Sequence, residues 1–259
     1  MEINLLVLNL GNSRLALGAF AAGQLSSVKH VPHSLKGDWP AAIADVWQQV
    51  GELEEVAIAG ASVNPPLEAE IEQAVLKATG KEIEWVGVGR DIDLPIKVLT
   101  ENPKETGVDR IVNIAAAHES MGKACVVVDA GTAITVDCCN DNGDFLGGAI
   151  APGVNLMLQS LHNQTAQLPS VAFRTPTGPF GTSTEGAMLQ AAYHGVRGMI
   201  KELTENFATE LGEWPEIIAT GGDAPKLFEG WELIHAISPD LTLYGVALAY
   251  TEHHIKHGS

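Results

Sequence analysis

Positive charge is scarce in this 259-residue chain: 15 Lys and Arg stand against 32 Asp and Glu, a formal net charge of −17. The acidic excess is spread over both halves, and no basic run or tail interrupts it. A nucleic-acid partner would need a cationic face to displace phosphate counterions, so none is expected. An anionic membrane surface is excluded on the same ground. Long apolar runs are also missing. The opening MEINLLVLNL is far short of the roughly 20 residues that cross a bilayer. Its flank carries Glu2 and no Lys or Arg, which makes it a poor signal peptide. Cysteine is limited to Cys125, Cys138 and Cys139, and the adjacent pair has no zinc-ligand spacing. Reduced, inert thiols in a cytoplasmic protein are expected. The chain has no His-Glu-x-x-His, no Gly-x-x-x-x-Gly-Lys and no Gly-x-Gly-x-x-Gly, so a P-loop or standard dinucleotide site is unsupported. His253, His254 and His257 are expected to be solvated in a polar tail. The 46% of hydrophobic residues excludes disorder, and the length allows one large domain or two small ones.

Strand and helix signals alternate along the chain, which predicts an α/β fold. Leu5–Leu8 and Arg14–Phe20 flank Gly11-Asn12-Ser13 as a tight hairpin. Trp39–Val50 carries Ile43, Val46, Trp47 and Val50 at helical spacing. Val56–Gly60 reads as a buried strand. Pro65-Pro66 opens a helix with Leu67, Ile71, Val75 and Ala78 on one face, stopped by Gly80. Ile83–Val88 is a further strand candidate. A helix over Thr106–Met121 starts near Gly107-Val108-Asp109-Arg110. Ala124–Val128, Ile134–Cys138 and Phe145–Ile150 are strands, the last two joined through Asp141-Asn142-Gly143. Thr182 and Glu185 fit a capping box ahead of a long helix, whose stripe of Met188, Ala192, Val196, Met199, Leu203 and Phe207 reads as core. Ile217–Thr220 is a strand, ended by Gly221-Gly222-Asp223, and Gly245–Tyr250 lies in a last helix. The boundary is expected before Ala124, giving halves 1–123 and 124–259.

Two segments share one form. Val7-Leu8-Asn9-Leu10-Gly11-Asn12-Ser13 and Val127-Val128-Asp129-Ala130-Gly131-Thr132-Ala133 each run from an apolar strand to a short polar side chain, a glycine, and a small polar group opening a return strand. Such a glycine lets backbone N–H groups approach phosphate oxygens. Two ordinary β-turns are the plainer reading of either segment alone. Together they suggest a duplicated α/β domain with a ligand between the halves. Asp129 suits a metal-placing carboxylate and Thr132 a phosphate-directed hydroxyl. Asp109 with Arg110 suits the acceptor side, because Arg offers a bidentate fork to a carboxylate. A helix-start carboxylate with its ion-pair partner is the alternative. Gly221-Gly222 allows a flat group such as adenine to stack closely, or is a plain turn. Gly147-Gly148 and Ala151-Pro152-Gly153 make a glycine-rich bend that either lines a cleft or bends a strand.

The order and spacing of these pieces resemble the type III pantothenate kinase family, within the acetate and sugar kinase, heat-shock protein 70 and actin superfamily. Asn9-Leu10-Gly11-Asn12-Ser13 is similar to its first phosphate motif, and Asp129–Ala133 to its second. Gly107-Val108-Asp109-Arg110, preceded by Asn102-Pro103, resembles its substrate motif. Gly147–Gly153, Gly181–Thr184 and Thr220-Gly221-Gly222 resemble its remaining segments. The resemblance implies duplicated ribonuclease H-like (actin-like ATPase) domains with the nucleotide cleft between them. It implies transfer of the ATP γ-phosphate to pantothenate, with Asp109 as proton acceptor. Thr100, Gly107, Val108, Asp109, Arg110 and Thr184 would hold pantothenate. Asn9, Leu10, Gly11, Asn12, Ser13, Arg14, Thr132, Gly221 and Gly222 would bind ATP, with Mg²⁺. Asp129 would ligate K⁺ or NH₄⁺. A homodimer is implied, with a use in it for the Met188–Phe207 stripe.

Two positions depart from the family pattern. Its first aspartate is Asn9 here, which keeps the shape and one carbonyl oxygen but loses the charge. Its frequent aromatic residue is Thr100 here. Arg14, where many relatives carry Lys or Thr, is a minor change. Besides an active pantothenate kinase, these departures leave open a weakened or inactive nucleotide- or acid-binding relative, and a kinase for another small hydroxy acid.

Overall fold

The computed structural model describes residues 3–258; Met1 and Glu2, the acidic flank of the first strand, lie outside the described residues, as does Ser259. The chain opens with β1 (Leu5–Leu10), β2 (Arg14–Ala21) and β3 (Gln24–Pro32). Helix α1 (Trp39–Trp47), β4 (Ala57–Ser62), α2 (Pro65–Thr79), the two-residue β5 (Glu84–Trp85) and α3 (Val108–Met121) follow. The next strands are β6 (Cys125–Ala130), β7 (Ala133–Cys139) and β8 (Phe145–Pro152), then α4 (Val154–Gln164) and α5 (Thr184–Leu211). The chain ends with β9 (Glu216–Thr220), α6 (Ala224–Phe228), β10 (Ala236–Ile237) and α7 (Leu241–His257).

Two five-stranded sheets result, ordered β3-β2-β1-β4-β5 and β8-β7-β6-β9-β10. In both, the central strand is antiparallel to the strand after it and parallel to the one that follows the next connection. The duplication suggested by the paired segments is therefore a duplication of whole sheet topology.

In the first lobe, the period of two sorts the central strand between two cores. Leu6, Leu8 and Leu10 pack with Trp39, Ile43 and Val46 of α1 and Ile71 and Val75 of α2. Leu5 and Val7 pack on the other face with Val112 of α3 and Leu243 and Val246 of α7. In the second lobe, Val126, Val128 and Ala130 join Val154 and Leu158 of α4 and Met188, Ala192 and Val196 of α5.

Helix α7 departs from a simple cut at 123/124. Compact packing groups Leu241 onward with the chain up to Glu119, and Ser120–Asp240 form the other unit. The reason lies at Gly245. A Cβ there would sit 2.0 Å from the Val112 carbonyl oxygen, so α7 lies directly on the α3 backbone. Thr242 donates from its hydroxyl to Asn113 Oδ1 at 2.8 Å at the same crossing.

Other expectations are adjusted. The Ile83–Val88 strand shrinks to β5 plus a single bridge from Val86 to Ile92. The cap of α5 is Ser183, whose hydroxyl accepts the Gly186 N–H at 3.0 Å, rather than Thr182; Glu185 pairs with Arg174 instead. The α5 stripe belongs to the protein's own second core: Met188, Ala192 and Val196 are buried in it, and Met199, Leu203 and Phe207 pack against it. Among the described residues no helix is long and apolar enough to cross a membrane. Cys125, Cys138 and Cys139 are buried thiols that form no disulfide, and burial pushes the Cys138 thiol up to about 12, so it stays protonated and unreactive.

Gly245→Ala is expected to destabilise the protein by about 1–3 kcal/mol through overpacking on α3. Gly198→Ala, at a position in α5 where a Cβ meets nothing, is expected to stabilise by about 0.4–1 kcal/mol. Urea unfolding of both variants checks the contrast; equal shifts would contradict the close crossing.

Candidate active site

The two polar leads occupy equivalent places. Asn9 and Asp129 are each the penultimate residue of a central strand, and both strands are buried residue by residue except at that position. Asn9 stands between Ala16 and Ala61, and Asp129 between Thr135 and Thr220, in the same cross-strand register. The strand ends are anchored alike. Leu10 accepts the Val63 N–H at 3.1 Å, and Ala130 accepts the Asp223 N–H at 2.9 Å.

Beyond each strand the chain turns through a glycine. Gly11 donates its N–H to the Arg14 carbonyl at 3.1 Å, which leaves Asn12 and Ser13 exposed at the tip. Gly131 donates to the Ala133 carbonyl at 3.0 Å and leaves Thr132 exposed. His33 holds the first turn. Its backbone N–H donates to the Ser13 carbonyl at 2.9 Å, and its Nε2 lies 2.8 Å from the Gly11 carbonyl oxygen. Asn64 Nδ2 adds a longer bond to the same oxygen at 3.4 Å. The sequence gives no local signal for this support, because His33 is 22 residues from Gly11 and lies beyond a polar edge strand.

The second turn is walled by glycine. Gly221 has φ of +92°, and a Cβ on it would sit 2.4 Å from Asp129 Oδ1 and 2.5 Å from the Ala130 carbonyl oxygen. Only glycine permits both the left-handed backbone and the close approach to the carboxylate. Gly222 follows, exposed. Gly153, from the glycine-rich bend, is equally tight: its N–H donates to the Thr132 carbonyl at 2.9 Å. Among the described residues the buried Oδ1 of Asn9, in the first lobe, has no protein donor. An acceptor oxygen in that state is suited to a cation or a ligand donor, and a carboxylate held in a glycine cradle is too. Oxygen donors of this kind are the type that Mg²⁺ and K⁺ take.

The acceptor-side motif forms the N-terminus of α3. The Gly107 carbonyl accepts the Arg110 N–H at 3.1 Å and opens the helix. Asp109 Oδ1 also accepts the Arg110 N–H, at 2.8 Å. A Cβ on Gly107 would lie 2.7 Å from the same Asp109 oxygen, so the glycine leaves room for the carboxylate. Burial raises the Asp109 carboxyl above its ordinary value, against the smaller opposing pull of the Arg110 N–H and guanidinium. Val108 packs against the core on the α3–α7 side. Thr100 joins this neighbourhood through its hydroxyl, 3.0 Å from that of Thr106, the residue before Gly107. Asn9–Arg14, Thr100 and Gly107–Arg110 thus belong to the first lobe. Asp129, Thr132, Gly221 and Gly222 belong to the second, as does Thr184, exposed in the first turn of α5.

Two strand–turn–strand units, each led by a polar side chain within the same five-stranded topology, define an actin-like ATPase fold. Solved structures agree. MreB5 of Spiroplasma citri bound to ADP aligns over 99% of this chain and 99% of its own, with a TM-score of 0.50 at 12% identity. A conserved Baf-family protein from Campylobacter jejuni aligns over 95% of this chain and 98% of its own, with a TM-score of 0.59 at 20% identity. The sequence profile described as type III pantothenate kinase matches residues 5–206. A type III pantothenate kinase of Dehalococcoides mccartyi is 35% identical over 253 residues, 95% of either chain. The chain belongs to the type III pantothenate kinase family.

Gly221→Ala is expected to cost about 1–3 kcal/mol from the backbone conformation alone, with displacement of Asp129 in addition. For Asp109 the folded carboxyl lies above its unfolded value, so the native state holds the proton more tightly and stability falls as pH rises through that window. Asp109→Asn removes this loss. Above the raised value the variant is expected to be at least as stable as the parent, by urea unfolding across pH 4–8; a variant less stable at neutral pH would contradict a desolvated carboxylate.

Proposed function

We propose that the protein phosphorylates pantothenate with ATP, giving 4′-phosphopantothenate and ADP, the first step of coenzyme A synthesis. The observation that carries this reading is the family membership of a chain that keeps Gly107–Arg110 at a helix start and Asp129–Ala133 at a strand end. The pantothenate hydroxyl oxygen forms the new bond to the γ-phosphorus. The bond from that phosphorus to the bridging oxygen breaks, and ADP leaves with the electron pair. The hydroxyl proton passes to Asp109. A buried carboxylate with a raised pKa is a stronger base than a free one, which favours that transfer. Arg110 and the Gly107–Asp109 backbone hold the pantothenate carboxyl side, with Thr100 and Thr184 as further contacts. Residues 9–14, Thr132, Gly221 and Gly222 take ATP: the turns offer backbone donors, and the glycine pair offers a flat surface.

Asn9 Oδ1 and the Asp129 carboxylate are the oxygens we assign to cations. Mg²⁺ neutralises phosphate charge when bound, and the family resemblance implies K⁺ or NH₄⁺ at Asp129. A carbonyl oxygen at Asn9 binds Mg²⁺ more weakly than a carboxylate would. That single change favours a second reading, a relative whose catalysis is weakened at one charge. The homodimer reading rests on a different surface from the α5 stripe. Strand β8 is a sheet edge, and its Ile150 is 65% exposed, with Leu146 on the same strand and Leu156 and Leu161 on α4 also exposed. An uncovered edge of this kind is what a second copy would shield.

Asp109→Asn is expected to lower kcat by about 10²–10⁴-fold while the protein stays folded. In the parent, the acid limb of kcat/KM should lie above the ordinary aspartate value of about 3.9, since the base form is lost at the raised pKa. Full activity in the folded variant would remove Asp109 from the mechanism. Asn9→Asp is expected to lower the Mg²⁺ needed for half-maximal rate. Product from that variant with none from the natural sequence would favour the second reading. Ile150→Glu is expected to convert a dimer to a monomer in sedimentation; a dimer that persists would place the interface elsewhere.

A further inference from the structure

The polar tail is not simply solvated. His253 and His257 lie one turn apart on α7, so they share a helix face, and their rings are 4.3 Å apart between centroids. Asp93 meets them from the segment after β5, 160 residues away in sequence from His253. One donor atom from each of the three lies within 4.8 Å of the others.

The hydrogen bonds fix which ring nitrogens carry lone pairs. His257 Nδ1 is 2.8 Å from the His253 carbonyl oxygen and can only donate to it, so the neutral ring presents a bare Nε2. That Nε2 is 3.9 Å from Asp93 Oδ2. A ring N–H held by a backbone carbonyl is the usual outer support of a metal-binding histidine. His253 Nδ1 accepts the Asp93 N–H at 3.1 Å, so it too bears its lone pair toward Asp93, with Asp93 Oδ2 at 3.5 Å. Bonds of about 2.0–2.1 Å at a tetrahedral angle place neighbouring donor atoms about 3.3 Å apart. The separations from Asp93 Oδ2 are close to that value, and small side-chain rotations at an exposed site close the difference. The neighbouring histidine takes no part. His254 stacks on Tyr250 at 4.0 Å and directs Nε2 to Glu84, 3.6 Å away.

We propose that Asp93, His253 and His257 bind a borderline-soft divalent cation of the Zn²⁺ class, with water completing the coordination. Two imidazoles and one carboxylate suit that class better than Mg²⁺ or Ca²⁺, which prefer all-oxygen shells. The bound ion replaces the Asp93 N–H at His253 Nδ1 and joins the last turn of α7 to the segment after β5. The site lies within the first lobe, is built from residues outside the phosphate and acceptor motifs, and does not depend on the kinase reading.

The test is calorimetric titration of chelator-treated full-length protein with Zn²⁺, without nucleotide, repeated with Co²⁺ and read by visible absorption. One ion per chain is expected, with the intense Co²⁺ bands of a low-coordinate nitrogen and oxygen site. His253→Ala and His257→Ala should each weaken binding at least tenfold, and His162→Ala, a histidine elsewhere on the surface, should leave it unchanged. His257 and His162 are exposed and His253 is half-buried, and circular dichroism verifies that all three variants fold. Absence of saturable uptake, uptake insensitive to both α7 substitutions, or equal loss in His162→Ala would overturn the site and leave two histidines paired with an aspartate.

Discussion

Each lobe depends on a central strand that is hydrogen-bonded on both edges and buried on both faces. Strands β1 and β6 are buried along nearly their whole length, among mostly apolar neighbours, with the buried Asp137 beside Val127 as an exception on the second. Burial relaxes at the penultimate position of each, and there each strand carries its one polar residue, Asn9 or Asp129. The sheet thus fixes a functional oxygen to the rigid centre of the lobe. The turn beyond it inherits that rigidity through the bonds from Val63 to Leu10 and from Asp223 to Ala130. Placing the site at strand ends rather than on a long loop restricts the motion of groups that must be positioned before reaction.

The acceptor motif uses a different device. Asp109 lies at a helix start, where N–H groups and the dipole favour a negative charge. Burial opposes them and prevails, so the carboxyl is held above its usual range. Gly107 keeps the space beside that carboxylate open, and Arg110 supplies the nearby positive charge. The result is a carboxylate more basic than a solvated one. Asn9 lies at the other extreme, a neutral amide whose buried oxygen has no protein donor among the described residues. Asp109 and Asp129 carry a carboxylate where Asn9 carries an amide, so the two matched strand ends differ in charge.

Much of this was legible in the sequence wherever local chemistry sets the outcome. The paired strand–glycine segments announced the duplication because the same burial and the same turn demand the same residues. Asp141-Asn142-Gly143 announced its hairpin. Strand β3 was legible only in outline, within a first 30 residues that read as strands, since an edge strand with polar residues on its open face gives no clear bounds. Helix α7 reads as part of the second half by position, and the packing of Leu243 and Val246 on β1 with the close approach of Gly245 to α3 assigns it to the first lobe. Ser183 is the cap of α5 in place of Thr182 because the helix starts one residue later, at Thr184, and the Ser183 hydroxyl takes the Gly186 N–H. His33 behind the first turn, and Asp93 beside His253, depend on long-range contacts for which no local pattern exists.

The central claim is that this scaffold, with an amide at residue 9, transfers phosphate to pantothenate. The direct measurement is mass-spectrometric detection of 4′-phosphopantothenate from the purified natural sequence with ATP and Mg²⁺, in K⁺ and in Na⁺ alone. The account predicts product that depends on K⁺. Absence of product in K⁺ from folded, ATP-binding protein would contradict it.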